Sequence, residues 1–299
     1  MIVTLTGTGT SHGIPVIGCE CPVCRSTDPH DMRLRCSAYV QAGDTTLVID
    51  TGPEFRLQAL KYNIKHLDAV LITHSHADHL NGLDDLRIFS HTASADKNNE
   101  TKTALPIYAN KPTVDDIHCR FAYIYGETQQ GGGKPLLNVV EAENFTRENP
   151  VLVRRINEET DKKVPEGTGE LLCFPVPMKH GKLDVAGWNI REKDAPETAS
   201  FSYLTDCSFV PDESIALIQG TEHLVIDGLR ERPHQTHFSF EQALDCAAKI
   251  HPKNVWLTHI CHNNSHEQIN AWLLQHKKQF PALKGIPVHA AYDGLTLTI

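Results

Sequence analysis

Residues 74–79 contain four side chains of the kinds that bind metal ions, spaced His-x-His-x-Asp-His. Imidazole nitrogens and carboxylate oxygens together suit first-row metals such as Zn, Mn and Fe. A water molecule bound to such ions loses a proton near neutral pH, so a cluster of this kind supports hydrolysis. The competing interpretation is a surface histidine cluster at a helix start. Four ligand-type residues within six positions favour the metal site.

The position of this motif in the chain also favours a metal site. Directly before it, the apolar run Ala69–Ile72 predicts a buried strand, and apolar residues between Leu80 and Phe89 predict a helix after it. Side chains alternate along an extended segment, so His74 and His76 lie on the same side. The chain then turns, and we expect the two ligand-type residues beyond the turn to face the same cavity from its other wall.

Three later predicted strands also lead to residues that bind metals. The runs 172–178, 201–205 and 255–258 lead to His180, Asp206 and His259. Asp50 closes an earlier predicted strand, and we expect it to accept the free N–H of a metal-bound histidine. Further strands are predicted at 2–6, 36–40, 46–49, 105–109 and 224–229, and helices at 113–125, with Thr113 as N-cap, and at 240–250. This alternation predicts a layered α/β sandwich, a single domain over residues 1–299.

Three cysteines near the N-terminus, Cys19, Cys21 and Cys24, indicate a second metal site. Thiolates at spacings of two and three residues can wrap one tetrahedral Zn²⁺, which then stabilises a loop that lacks a core of its own. A fourth ligand has to come from elsewhere in the chain. The alternative is free cysteines with packing roles. The total of nine cysteines is odd, which argues against a disulfide framework and for an intracellular, cytoplasmic protein.

Composition argues against several functional classes. The chain has 299 residues, of which 40% are hydrophobic and 22% charged, as in an ordinary globular protein. We find no apolar run of the roughly 18 residues that a membrane helix needs, and no pattern of a signal peptide. The net charge is −9 and there is no basic tract, so a large nucleic-acid-binding surface is not expected.

The motif at residues 74–79, taken with the later strand ends, resembles the metallo-β-lactamase superfamily. The resemblance implies an αββα four-layer sandwich and two divalent ions, Zn, Mn or Fe, in the active site. It implies that one ion is held by His74, His76 and His180 and the other by Asp78, His79 and His259, with Asp206 bridging both.

The N-terminal segment indicates a particular group within this superfamily. Gly7-Thr8-Gly9-Thr10, Gly13-Ile14-Pro15 and the cysteine cluster are similar to the PhnP-type phosphoribosyl cyclic phosphodiesterases. In that group a structural zinc is held by three N-terminal cysteines and a histidine just after the last catalytic one, and here that histidine is His262. The chain departs from the group at two longer segments, 91–104 and 144–168, which we expect to be insertions at the cavity rim.

The charge of such a centre favours a small phosphorylated substrate. Two divalent ions, two aspartates and a bridging hydroxide leave a formal charge of about +1. The resemblance implies that this hydroxide attacks phosphorus in a small, cyclic phosphodiester, with Asp78 and Asp206 in the catalytic centre. The leaving alkoxide then needs a proton, and we assign His237 as general acid, with His234 as its competitor.

Three other functions stay open at this point. The cysteine motif also resembles pyrroloquinoline quinone biosynthesis protein B, a redox or hydroxylating relative. A tRNA 3′-processing nuclease would share the metal site but needs a basic RNA-binding arm, so nucleic acid is not the expected partner. A non-enzymatic binding module would have lost ligands, and none of the expected set is missing. We expect no membrane contact and leave a homodimer open.

Overall fold

The strands of the protein form two seven-stranded sheets within the residues that the computed structural model describes, which are 1–92, 104–126, 134–155 and 169–299. The first sheet contains, in spatial order, β14 (Thr296–Thr298), β1 (Ile2–Gly7), β2 (Ser37–Ala42), β3 (Thr45–Ile49), β4 (Ala69–Leu71), β5 (Leu105–Ala109) and β6 (Leu137–Glu141). The second contains β13 (Val288–Ala290), β12 (Asn254–Thr258), β11 (His223–Asp227), β10 (Ser200–Leu204), β9 (Leu183–Glu192), β8 (Leu171–His180) and β7 (Val151–Val153).

Helices cover the outer face of each sheet. Those of the first half are α1 (Phe55–Lys61), α2 (Ala77–Leu80), α3 (Arg87–Thr92), α4 (Lys111–Arg120) and α5 (Ala122–Tyr125), and those of the second are α6 (Asp212–Leu217), α7 (Phe240–Ile250) and α8 (His266–His276). Short 3₁₀ helices lie at Pro29–Asp31, Leu83–Leu86, Ala142–Asn144, Lys277–Gln279 and Pro281–Leu283. The predicted α/β class with αββα layers is therefore confirmed.

Three buried apolar layers hold these elements together. Leu5 of the first sheet and Trp188 and Phe201 of the second lie in the layer between the sheets. Phe55 of α1 belongs to the layer outside the first sheet, and Phe240 of α7 to the layer outside the second. Burying a side chain of this size contributes about 1.5–3 kcal/mol, so these contacts fix which face each strand presents to its neighbours.

Parallel strands in both sheets end at the edge where the predicted ligands lie. β3, β4 and β5 are parallel in the first sheet, and β10, β11 and β12 are parallel in the second. In open α/β sheets, ligands bind beyond the carboxyl ends of such strands. Both sheets therefore contribute residues to one site.

Several predicted elements differ from the structure. The strand at 105–109 and the helix at 240–250 are confirmed to the residue, and a capping box at Ser239 starts that helix. The helix predicted at 113–125 is present but divided into α4 and α5, and the assignment of Thr113 as its N-cap is wrong. The observed α4 begins two residues earlier because the Asn110 side chain accepts a hydrogen bond from the Thr113 backbone N–H at 3.2 Å, and the helix is interrupted at Phe121.

The two expected rim insertions are only partly visible. Residues 93–103 and 156–168 lie outside the described residues, so most of 91–104 and the second half of 144–168 stay predictions. Within 144–155, β7 pairs antiparallel with β8 and forms one edge of the second sheet. Among the helices of the described ranges, none is long and apolar enough to cross a membrane.

Candidate metal centre

The structure brings all seven predicted active-site ligands to one edge of the sandwich, in two neighbouring groups. The first group is His74, His76 and His180, and the second is Asp78, His79, Asp206 and His259. Within each group the potential ligand atoms all lie within 4.8 Å of one another. The centre opens to solvent on one side, because His76 is exposed and Asp78 is half-buried while the other ligands are buried.

The motif after β4 is held in place by close backbone packing. His74 and His76 lie in the extended segment, and Asp78 and His79 lie in α2. Gly52, just beyond β3, lets the two segments approach, since a Cβ atom there would lie 2.1 Å from the Asp78 carbonyl oxygen. The Thr51 backbone N–H donates to the His79 carbonyl at 2.8 Å, which ties the motif to the first sheet.

Three site residues, each just after the end of a strand, have left-handed backbone conformations. Asp50 follows β3 with φ 61°, Asp206 follows β10 with φ 53°, and His259 follows β12 with φ 57°. Such angles are uncommon for residues other than glycine and cluster at functional sites. In all three cases the chain turns sharply where a strand stops, which leaves the side chain at the edge of the sheet.

Asp206 lies between the two groups. Its Oδ2 is 3.0 Å from His79 Nε2, and its Oδ1 is 3.2 Å from His259 Nε2 and 3.9 Å from His74 Nε2. His79 Nε2 is also 3.2 Å from Asp78 Oδ2. One carboxylate thus faces imidazoles of both groups.

Metal ions would explain the positions of the imidazole nitrogens in this cluster better than hydrogen bonds between the side chains do. Nε2 of His74, of His79 and of His259 are buried without a hydrogen-bond partner, although carboxylate oxygens lie nearby. Buried polar atoms are normally satisfied, so each such atom needs an explanation. Burial alone would lower the pKa of His79. The net shift is nevertheless upward, because the ring is surrounded by three carboxylates, those of Asp206, Asp78 and Asp50. A cation would balance this charge, and imidazole with carboxylate is a donor set for Zn, Mn or Fe.

Outer contacts fix the orientation of several candidate ligands. His79 Nδ1 donates to Asp50 Oδ2 at 2.7 Å, which is the hydrogen bond expected of Asp50. His180 Nδ1 donates to the Thr236 carbonyl at 2.7 Å. Burial lowers the pKa of His180 to about 4, and burial also lowers that of His74. Both rings are therefore neutral at pH 7, the form that binds metals.

A carboxylate–histidine pair lies beside the two groups. His237 Nδ1 donates to Asp227 Oδ2 at 2.7 Å, and the same oxygen accepts the Cys207 backbone N–H at 2.9 Å. The His237 ring is buried, with its centroid 4.5 Å from that of His180 and 4.6 Å from that of His259. Sequence reasoning missed Asp227, although it ends a buried strand in the same way as the run before Asp206.

The four residues predicted for the structural zinc also lie together. The Sγ atoms of Cys19, Cys21 and Cys24 are 3.4, 3.5 and 3.3 Å from His262 Nδ1. A tetrahedral zinc site with ordinary bond lengths has S···N separations of about 3.5 Å. A backbone hydrogen bond from Cys24 lowers the pKa of the Cys21 thiol to about 6, whereas burial raises the pKa of Cys24 to about 11, so Cys21 is the thiol that forms the metal-binding thiolate more readily. These residues fit one Zn²⁺.

Comparisons with known proteins show which family shares this fold. The family model for the β-lactamase superfamily domain matches residues 45–260. A crystal structure of a diphosphatase from the PhnP family is 33% identical, with a TM-score of 0.73 over 99% of this chain and 96% of that one. Zinc-bound PqqB from Methylobacterium extorquens is 18% identical, with a TM-score of 0.67 over the full length of both chains.

A curated relative is longer than this chain. An octanoyltransferase of Porphyromonas gingivalis is 34% identical over 299 residues, which are 99% of this chain and 51% of the relative. The chain therefore spans about half the length of that protein.

Two sheets with a His/Asp cluster at their common edge define a class of protein, the metallo-β-lactamase fold. The chain belongs to the metallo-β-lactamase superfamily, and within it shows full-length similarity to a PhnP-family protein.

Proposed function

We propose that the protein is a dinuclear, metal-dependent phosphodiesterase that acts on small phosphodiesters, among them cyclic phosphodiesters. Three histidines, His74, His76 and His180, would hold one ion, and Asp78, His79 and His259 the other, with Asp206 shared between them. When bound, such ions lower the pKa of coordinated water and neutralise charge on a phosphoryl group. We further propose that Cys19, Cys21, Cys24 and His262 hold a structural zinc.

The observation that carries this proposal is the Asp227–His237 pair beside the cluster of unpartnered imidazoles. Asp227 accepts the proton of Nδ1, so Nε2 is the atom through which His237 can hold and deliver a proton. A proton donor next to a hydrolytic centre is needed when the leaving group is a strong base, as an alkoxide is. His237 therefore has the role of general acid toward the leaving oxygen.

The same pair favours phosphate esters over thioesters. Similarity to an octanoyltransferase makes a thioester a second candidate substrate, because octanoyl transfer is acyl chemistry. That name belongs to a protein about twice as long as this chain, whose other half is unmatched. A thiolate leaving group, with a pKa of about 8.5, needs little help from an acid, whereas an alkoxide needs it. The diphosphatase activity of the PhnP-family relative also favours phosphorus chemistry.

Two of the three functions that the sequence left open, a PqqB-like function and tRNA processing, are less well supported. The likeness to PqqB is at 18% identity and speaks for the fold alone. A tRNA 3′-processing nuclease would need a basic surface for RNA, and the net charge of this chain is −9.

A substrate panel on protein reconstituted with Zn, Mn or Fe tests the proposal. The panel contains a ribose cyclic phosphate, a linear phosphodiester, a diphosphate, an octanoyl thioester, a β-lactam and a precursor tRNA. We expect turnover of the phosphate compounds, and none by a chelated sample or by Asp206→Asn. Turnover of the thioester, the β-lactam or the precursor tRNA alone, with none of the small phosphate compounds cleaved, would refute the proposal.

A further inference from the structure

The end of helix α4 contacts the segment that carries three of the candidate metal ligands. Arg120, the last residue of α4, donates through one terminal nitrogen to the Ser75 carbonyl and through the other to Asn81 Oδ1 at 2.7 Å. Asp116, one turn earlier on the same face, accepts a hydrogen bond from the Ser75 hydroxyl. One guanidinium thus contacts the chain just before His76 and just after α2.

His76 is the only exposed histidine among the candidate ligands. Within the described ranges its ring makes no hydrogen bond, and its neighbours are the rings of His74 and His180, with centroids at 4.6 and 5.1 Å. The rings of His79 and His180, by contrast, are oriented by hydrogen bonds at Nδ1. Since no such contact orients the His76 ring, its position depends on the backbone that carries it, next to Ser75.

Helix α4 is itself held by both halves of the molecule. Val114 and Ile117 are buried in the apolar layer outside the first sheet. The Asn110 side chain caps the first turn and also donates to the Asp184 carbonyl at 2.8 Å in the second sheet. The helix therefore offers a fixed support for the segment that its last turn contacts.

The later part of the motif has a separate support. The Thr51 backbone N–H donates to the His79 carbonyl at 2.8 Å, and the Thr51 carbonyl accepts the Gly82 N–H at 2.8 Å. These bonds tie α2 to the first sheet without help from α4. Loss of the α4 contacts should therefore displace His76 more than Asp78 or His79.

We propose that Arg120 and Asp116 are positioning residues that set the affinity of the first ion, the one assigned to His76 and two further histidines. This inference rests on the ligand assignment made under the proposed function. The two side chains hold the carbonyl and the hydroxyl of Ser75, so the backbone keeps the direction in which the His76 ring completes its ligand group. Outer contacts of this kind change metal affinity roughly 10- to 100-fold. We expect the lower figure, because water competes for exposed hydrogen bonds.

Charge and position predict opposite results for Arg120→Ala. Removal of a positive charge near a metal centre would tighten metal binding through electrostatics, whereas a misplaced His76 would weaken it. We expect the first ion to bind about tenfold more weakly. Arg120→Lys retains the charge but not the fork that reaches two acceptors, so it should recover only part of the affinity.

Titration of metal-stripped protein with Co²⁺ measures these affinities. Thiolate-to-cobalt charge-transfer bands report the cysteine site, and d–d bands also report the His/Asp cluster. The cysteine site is therefore an internal reference, and its affinity should be the same in every variant. The melting temperature of metal-stripped Arg120→Ala should also equal that of the stripped wild type, since the lost contacts are exposed.

Asp116 provides a matched pair of variants. Asp116→Asn removes the charge but retains an oxygen that accepts from the Ser75 hydroxyl, whereas Asp116→Ala removes both. We expect Asp116→Asn to bind Co²⁺ like the wild type, and Asp116→Ala to lose as much affinity as Ser75→Ala. The double variant should lose no more, because both changes remove one contact. Equal losses in Asp116→Asn and Asp116→Ala would assign the effect to charge and overturn the proposal.

Lys111→Ala is the control for Arg120→Ala. It removes a positive charge from the same helix, and Lys111 pairs with Asp115 instead of contacting the metal motif. We expect its Co²⁺ affinity to equal that of the wild type. Tighter or unchanged binding by Arg120→Ala, or a lower melting temperature of its stripped form with unchanged affinity, would overturn the positioning role.

The metal requirement of turnover distinguishes this inference from the proposed activity. Co²⁺ binding is measured without substrate, so weaker binding by Arg120→Ala supports the positioning role even if the wild type cleaves no phosphodiester. In an active enzyme, Arg120→Ala should need about tenfold more metal for half-maximal turnover and should recover most of its turnover as the metal concentration rises. A lower kcat at saturating metal with an unchanged metal requirement would mean that Arg120 acts on the substrate, which overturns the proposal.

Discussion

At the scale of single residues, the assignment of His237 as general acid gives the sharpest test. A ribose alkoxide is a poor leaving group and needs a proton as the P–O bond breaks, whereas p-nitrophenolate does not. General acid catalysis is worth about 10²–10⁴ in rate, so His237→Ala is expected to slow a cyclic ribose phosphate by that factor. A p-nitrophenyl phosphodiester should be slowed far less. Steady-state rates on the two substrates provide the measurement.

The metal content of His237→Ala is the control for this experiment. We expect it to equal that of the wild type, because His237 is not assigned as a ligand. Its ring nevertheless lies within ligand distance of His180 and Asp206, so loss of an ion would make it a ligand and remove the acid role. Equal slowing of both substrates would mean that His237 positions the substrate without donating a proton.

A second residue-scale prediction concerns the pH dependence of stability. Burial raises the pKa of Asp293 to about 6, although hydrogen bonds from the Leu34 N–H and the Thr8 hydroxyl, and the nearby charges of Arg33 and Lys61, act in the opposite direction. The folded state then binds a proton more tightly than the unfolded state, whose aspartate titrates near 3.9. Stability contributed by this proton is present at low pH and is lost as the pH rises through about 6.

Urea unfolding of the wild type and Asp293→Asn measures this effect. Relative to the variant, the wild type should gain at most about 1.3 kcal/mol in free energy of unfolding when the pH falls from 7 to 5. Other titrating groups are common to both proteins and cancel in the comparison. A difference that stays constant, or that changes in the opposite direction, would contradict the raised pKa of Asp293.

At the scale of elements, the loop that carries the three cysteines depends on its metal. The 14–33 segment contains no strand and only one short 3₁₀ helix, Pro29–Asp31. Zinc contributes on the order of 10 kcal/mol to folding in small zinc peptides, and less is expected here because the sheets carry most of the core. Cys21→Ser should therefore lower the melting temperature, measured by calorimetry, while the active-site ions stay bound.

Asp206→Asn provides the opposite case. It should fold with a melting temperature close to the wild-type value and lose turnover, since Asp206 faces imidazoles of both groups. If Cys21→Ser instead abolished activity at unchanged stability and metal content, the structural role of the cysteine site would be wrong.

The strand ends show how far the sequence could predict the site. The sequence correctly predicted β4, β10 and β12 from short apolar runs that end in histidine or aspartate. The signal is clear because, at the edge of a sheet, the chain changes within one residue from buried apolar side chains to a polar one. Asp227 closes β11 in the same way but was missed. A lone aspartate after a strand is also an ordinary turn residue, and only its contact with His237 distinguishes it.

Helix starts were harder to predict for a related reason. Asn110 and Thr113 are both residue types that cap helices, and local sequence does not rank them. The structure selects Asn110, whose Nδ2 also donates to the Asp184 carbonyl at 2.8 Å in the second sheet. Contacts between distant segments of this kind are not visible in a sequence pattern.

At the scale of the whole molecule, the metal centre exists only when the two sheets are packed together. His74, His76, Asp78 and His79 follow a strand of the first sheet, and His180, Asp206 and His259 come from the second. An unfolded chain does not bring these ligands together, so ions that bind the folded state stabilise it by mass action. Removal of the ions should therefore lower the melting temperature of the whole protein, not only of one loop.

The number of ions per chain tests this arrangement. Elemental analysis of protein purified without chelator should approach about three ions, two at the His/Asp cluster and one zinc at the cysteine site. Cys21→Ser should approach two ions per chain and retain activity. The cysteine-bound ion should also resist mild chelation longer, because its four ligands close the coordination sphere, whereas catalytic sites keep an open position. A value near one ion per chain in fully active wild-type protein would rule out the dinuclear centre.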